Sequence, residues 1–134
     1  MFKKIDHIGF AVPSLAQAMG FYRDALGLHL HEIEDVPGQM VRVAMLPVGE
    51  TNLEFLEPTS PDSPIARFLE KKGGGVHHVA LQVDDLETVL NNLKNLGCKL
   101  INEKPVPGAG GKLIAFVHPA ATGGVLLELC QEKK

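Results

Sequence analysis

The sequence predicts an α+β fold: two tandem βαβββ modules forming a curved mixed sheet around a metal site. Three observations predict it. The phrase His7-Ile8-Gly9-Phe10-Ala11-Val12 returns 71 residues later as His78-Val79-Ala80-Leu81-Gln82-Val83. Each copy is followed by an amphipathic helical pattern that a glycine closes, at Gly27 and at Gly97. Each half then ends on an apolar strand with a central acid, Leu53-Glu54-Phe55 and Leu127-Glu128-Leu129.

Taken in order, residues 5–12 alternate, with Ile8, Phe10 and Val12 on one face and His7, Gly9 and Ala11 on the other, as a strand with two different environments does. Pro13-Ser14 ends it. Ser14 suits an N-cap, with Gln17 completing a capping box, and Leu15, Ala18, Met19, Tyr22 and Leu26 make the helical stripe. Strands are expected at 29–34, 40–47 and 51–57, separated by Pro37-Gly38 and Val48-Gly49-Glu50. A Pro- and Ser-rich linker leads to Ser63-Pro64, a cap and first-turn proline for a short helix that Gly73 closes. The second half repeats the order. Strand 76–83 places His78, Ala80 and Gln82 on one face and His77, Val79 and Leu81 on the other. Asp85 caps a helix with Leu86, Val89, Leu90, Leu93 and Leu96 on one stripe. Strands are expected near 99–103, 112–118 and 124–130, with Pro105–Gly111 as a loop and 120–124 as a turn. The whole reads as a single domain, 1–134, made of repeats at about 1–57 and 76–130 joined by the short helical linker.

Bulk composition narrows the function. A net charge of −3 leaves no electrostatic footprint for nucleic acid. No apolar run approaches the ~20 residues of a membrane span, and the N-terminus lacks a signal-peptide pattern. Cys98 and Cys130 form no CxxC pair and read as reduced packing cysteines. The expected setting is the cytoplasm, without nucleic-acid or membrane partners.

The chemistry lies in the repeat. Glu54 and Glu128 stand among apolar neighbours, where an unpaired charge is expensive, and the two halves match them with His7 and His78. His7, Glu54, His78 and Glu128 therefore read as a metal-binding quartet. His77, on the opposite face of its strand, reads as a packed imidazole. Two imidazoles and two carboxylates suit Co²⁺, Mn²⁺, Ni²⁺, Zn²⁺ or Fe²⁺ rather than Ca²⁺. Four protein ligands leave two positions on an octahedral ion, enough for a substrate that chelates through two oxygens. Such an ion stabilises an enolate, and a nearby carboxylate can take the proton. Lys71, Lys72 and Lys112 read as solvated surface, and His29, His31 and His118, which lack repeat partners, as structural.

The repeated module with His first and Glu last resembles the vicinal oxygen chelate (glyoxalase/bleomycin resistance/dioxygenase) superfamily. Within it the chain is most similar to the methylmalonyl-CoA epimerases, nearly end to end. The likeness rests on Ile5-Asp6-His7-Ile8, on Leu53-Glu54-Phe55-Leu56-Glu57-Pro58, on Ser63-Pro64-Ile65-Ala66, on His77-His78-Val79-Ala80, on Pro107-Gly108-Ala109-Gly110-Gly111 and on Gly123-Gly124-Val125-Leu126-Leu127-Glu128-Leu129. The resemblance implies a glyoxalase-like fold and a homodimer. It also implies a metal-dependent interconversion of (R)- and (S)-methylmalonyl-CoA through an enolate, with Glu128 as ligand and as one acid–base group, and with the Pro105–Gly111 loop as a rim over the acyl-CoA. Alternatives of the same fold are a glyoxalase I-type lactoylglutathione lyase, an Fe²⁺ dioxygenase, which the fourth ligand disfavours, and a non-catalytic small-molecule binding protein. Some epimerases carry a second glutamate on the strand aligned with residues 41–46. Here the alignment puts Arg42 there, leaving Glu54, a metal-held water or another group as the second proton carrier.

Overall fold

The computed structural model describes residues 1–132, so the last two positions of the expected 1–134 domain lie outside it. The chain forms two compact units. The first is His7–His77; the second is Met1–Asp6 with the chain from His78 on.

The first unit holds β1 (Phe2–Ala11) from His7 onward, α1 (Leu15–Met19), β2 (Glu32–Val36), β3 (Val41–Val48), β4 (Thr51–Pro58) and α2 (Pro64–Lys72). Its strands lie in the order β2-β3-β4-β1, with β1 parallel to β4 and the other pairs antiparallel. Alternation on β1 sorts the side chains as expected. Phe10 packs with Phe55, Ala44 and Leu46 under Leu15 and Met19 of α1, and the Phe10 and Phe55 rings stack at 5.0 Å. The Ser14 hydroxyl accepts the Gln17 N–H at 3.2 Å and starts α1. Past Met19 the helix widens into a π turn, Gly20–Ala25. Gly20, a weak helix former, opens the turn, and Leu26 N–H donates five residues back to the Phe21 carbonyl. Tyr22 thus packs 4.5 Å from Phe55, while Leu26, expected on the buried stripe, is exposed. On α2 the Ser63 hydroxyl accepts the Ile65 N–H at 3.1 Å, and Gly73 closes the helix at φ 81°, a conformation that favours glycine.

The second unit repeats the arrangement with β5 (Gly75–Val83) from His78 onward, α3 (Leu86–Asn95), β6 (Val106–Pro107), β7 (Leu113–Val117), α4 (Pro119–Thr122) and β8 (Leu127–Gln131). The order is β5-β8-β7-β6, again with the first and last strands of the module in sequence, β5 and β8, parallel. Leu86, Val89 and Leu90 of α3 pack on Val83, Ala115, Val117 and Leu129. Leu96, expected on that stripe, lies past the helix end and is exposed.

One strand differs from expectation. Residues 99–103 form no strand, only an isolated bridge from Leu100 to Val117. Leu100 turns into the core, and the Asn102 side chain accepts the Phe116 N–H at 2.8 Å. A side-chain amide that captures a backbone donor competes with the ladder, so the edge strand forms later, at Val106–Pro107. That strand sits tightly: a Cβ on Gly108 would come within 2.7 Å of the Ile114 side chain.

Each unit fastens its helix to its last strand by one matched bond. Glu57 Oε1 accepts the Leu15 N–H at 2.7 Å, and Gln131 Oε1 accepts the Leu86 N–H at 2.7 Å. Both acceptors lie three residues beyond the central acid of their strand, on Glu54 and Glu128. Gln131→Ala is expected to lower the unfolding free energy by about 1 kcal/mol in urea titrations. Gln131→Glu, which installs the residue of the first unit, is expected to stay near the native value.

Candidate metal centre

In each unit the register builds a His–Glu pair across a small residue. In the first, Glu54 of β4 lies opposite Gly9 of β1, and His7 stands two positions before Gly9 on the same face. In the second, Glu128 of β8 lies opposite Ala80 of β5, with His78 two positions earlier. These are diagonal neighbours, too far apart for short side chains but within reach of an imidazole and a glutamate. The glycine and the alanine leave the space between them open. His7 Nδ1 lies 3.3 Å from Glu54 Oε2, and His78 Nε2 lies 3.1 Å from Glu128 Oε1. All four side chains are buried, at 4–5% exposure.

A buried carboxylate needs a partner, and each pair supplies one. The same separations suit two neighbouring ligands of one ion: bonds of about 2.1 Å at right angles put ligand atoms about 3 Å apart. The donors fit a borderline divalent ion. His78 is steadied by Phe116, whose ring meets the imidazole edge to face at 5.6 Å and 87°. His77 points away from this pair. It packs edge to face on Phe68 of α2 at 4.9 Å, the packed role expected of it.

The structure corrects two expectations around the pairs. Arg42 is not on the face of Glu54. Directly opposite residues of antiparallel strands share a face, and Glu54 lies opposite Met45. Met45, Val43 and Val41 therefore share its side, while Arg42 projects from the other. There it donates to Asp35 Oδ1 at 2.9 Å, a hydrogen bond that raises its pKa above the usual arginine range. The residues that β3 offers on the side of Glu54, Val41, Val43 and Met45, are buried and apolar. Lys112, expected as solvated surface, is largely buried and binds both carboxylate oxygens of Asp6 at 2.8 Å. Asp6 also accepts from Gln82 Nε2 at 3.4 Å, and Gln82 from the same nitrogen reaches Glu132 at 3.0 Å. Asp6 and Gln82, both buried, join Lys112 in a polar group that alternation along the two strands does not reveal. Of the remaining histidines, His118 has the structural role expected of it. His118 Nδ1 accepts the Ala120 N–H at 3.0 Å and caps α4, and His29 and His31 lie on the surface. Cys98 and Cys130 are free thiols. Among the described residues no helix is long and apolar enough to cross a membrane.

Comparison with known proteins places this geometry. The family model described as Glyoxalase/Bleomycin resistance protein/Dioxygenase superfamily matches residues 6–116. The mitochondrial methylmalonyl-CoA epimerase of Mus musculus is 40% identical over 96% of this chain and 72% of its own length. The ethylmalonyl-CoA/methylmalonyl-CoA epimerase of Cereibacter sphaeroides is 37% identical over 98% of this chain and 99% of its own. Among solved structures, a Streptomyces coelicolor methylmalonyl-CoA epimerase variant in complex with 2-nitronate-propionyl-CoA superposes with a TM-score of 0.94. It is 35% identical, over 98% of this chain and 96% of that one. A methylmalonyl-CoA epimerase in complex with methylmalonyl-CoA and NH₄⁺ matches equally, at a TM-score of 0.94 and 35% identity, over 98% of this chain and 96% of that one. The glyoxalase-like fold that the resemblance implies is thus the fold observed.

Removing one imidazole tests the pairs directly. His78→Ala is expected to abolish tight binding of Co²⁺ or Zn²⁺ in calorimetric titrations, and His77→Ala to leave it intact. Loss with His77→Ala and retention with His78→Ala would show that the wrong histidine had been assigned.

Proposed function

The chain belongs to the glyoxalase/bleomycin resistance/dioxygenase superfamily, and we propose that within it the protein is a metal-dependent epimerase interconverting (R)- and (S)-methylmalonyl-CoA. The observation that carries this reading is the pair of buried His–Glu contacts at equivalent places of the two repeats, in a chain with 40% identity to a curated methylmalonyl-CoA epimerase. His7, Glu54, His78 and Glu128 together hold one divalent ion, of the Co²⁺, Mn²⁺, Ni²⁺ or Zn²⁺ class. When bound, that ion supplies Lewis-acid stabilisation for the negative charge that develops on the thioester and carboxylate oxygens.

The rest of the chemistry belongs to the side chains. The hydrogen lost is α to both a thioester and a carboxylate, so its removal leaves a planar, doubly charged enolate. Inversion requires a proton to leave one face and another to arrive on the opposite face. Glu128 serves one face: it takes the α-hydrogen as a proton while the bonding pair stays on the substrate carbon, and returns a proton in the reverse direction. Glu54 serves the second face, since β3 brings Val43 rather than a carboxylate to its side. The buried setting excludes bulk water from the carbanionic carbon and strengthens each charge interaction. The active form is a homodimer in the cytoplasm, acting on a soluble acyl-CoA.

Three measurements test the assignment. The protein with added Co²⁺ is expected to epimerise methylmalonyl-CoA and to leave the glutathione hemithioacetal of methylglyoxal unchanged; the opposite preference would identify a lyase. In single turnover in D₂O, deuterium is expected in the inverted product and little in recovered substrate, whereas inverted product that keeps its original hydrogen would exclude the two-carboxylate scheme. Glu128→Gln is expected to reduce turnover by more than the ~10²–10⁴-fold of a lost general base, because it also weakens the metal site.

A further inference from the structure

The two units present different surfaces beside their carboxylates. On the first, Met45 lies directly opposite Glu54, Val43 opposite Leu56 and Val41 opposite Pro58. Val41, Val43, Met45 and Leu56 thus share the face of Glu54, and all four are buried. Every residue that β3 contributes to this face is apolar. The second unit carries Lys112, Ile114 and Phe116 at the places 71 residues on from Val41, Val43 and Met45. There Lys112 is ion-paired with Asp6, and Phe116 lies directly opposite Glu128, its ring committed to His78.

The substrate of the reading above bears four different groups on its reacting carbon: a hydrogen, a carboxylate, a thioester and an alkyl group. Only the alkyl group gains by leaving water for an apolar wall, at about 0.8 kcal/mol per buried methylene. Both faces carry apolar residues, but on the second Ile114, Cys130 and Phe116 already pack around Ala80, whereas on the first the residue directly opposite Glu54 is Met45. We propose that Met45 forms the wall against the α-alkyl substituent and sets the largest alkylmalonyl-CoA that the enzyme accepts. The assignment rests on the epimerase reading. Met45 is suited to the role because an unbranched thioether fills an irregular gap without a rigid shape. Phe116, its counterpart, is held by its contact with His78 and is not free to perform it.

Truncation to Met45→Ala opens room for one more carbon. The ratio of kcat/KM for ethylmalonyl-CoA to that for methylmalonyl-CoA is expected to rise about tenfold, the usual worth of one methylene in an apolar pocket. Met45→Phe is expected to shift the ratio the other way, and metal content to stay at the wild-type level in both. Met45→Val, β-branched and suited to a strand, replaces the alanine variant should that one fail to fold. Calorimetric affinities for butyryl-CoA and propionyl-CoA, which cannot be epimerised, are expected to follow the same trend. A wild-type protein inactive on methylmalonyl-CoA would overturn the epimerase reading itself. A wild-type protein that is active, with the ratio unmoved by the Met45 variants or moved by Phe116→Ala instead, would overturn the role of Met45 alone.

Discussion

A carboxylate buried in a sheet is tolerated only when something charged or strongly polar meets it, and the architecture of both units follows from meeting that demand. Glu54 and Glu128 each stand on the last strand of a module, opposite a residue too small to fill the gap, Gly9 or Ala80. The first strand of the module supplies an imidazole two positions earlier. This geometry requires the first and last strands to run side by side in parallel, which a βαβββ connection provides and a simple meander does not. It also requires the helix to cover the other face, so that the sheet can be apolar on one side and carry histidines on the other. The matched bonds from Glu57 to the Leu15 amide and from Gln131 to the Leu86 amide tie those two requirements together. Each fixes the helix start to the strand that carries the acid.

How much of this was legible depended on how local the signal was. Alternation of Ile8, Phe10 and Val12 against His7, Gly9 and Ala11 is a property of adjacent residues, and it placed both imidazoles on the correct face. Caps at Ser14, Ser63 and Asp85 are likewise local, and all three accept the expected kind of bond. Cross-strand register is not local. Arg42 and Val43 are neighbours in sequence, yet one reaches solvent and the other the face of Glu54, and a shift of one residue exchanges those roles. The register is fixed by pairing with β4, through the tight turn between Val48 and Thr51. The edge strand was misplaced for a similar reason. Lys99-Leu100-Ile101-Asn102 has the composition of a strand, but the amide of Asn102 and the core demand on Leu100 decide otherwise.

The repeat also explains where its own symmetry ends. Gly9 to Ala80, Met45 to Phe116 and Val41 to Lys112 all keep the spacing of 71, whereas Glu54 to Glu128 is 74. The extra residues lie between β7 and β8, where the short helix α4 capped by His118 replaces the tight turn between β3 and β4. Lengthening a surface turn costs little closure entropy, so the acid keeps its place opposite a small residue while the connection changes.

Beside the two carboxylates the copies diverge, and the divergence has a chemical direction. Each unit supplies a nitrogen and an oxygen about 3 Å from one another in the same way, the separation that two neighbouring ligands of a metal ion would have. A substrate makes no such symmetric demand. Its carboxylate and thioester are polar, and its alkyl branch is not. The positions outward from the ligands differ accordingly. Those of the first unit are Val41, Val43 and Met45, and those of the second include a cation, Lys112, bound to the buried Asp6. On the reading proposed above, the ligand positions stay alike because an ion makes the same demand of each pair, and the flanking positions differ because the substituents they meet differ in polarity.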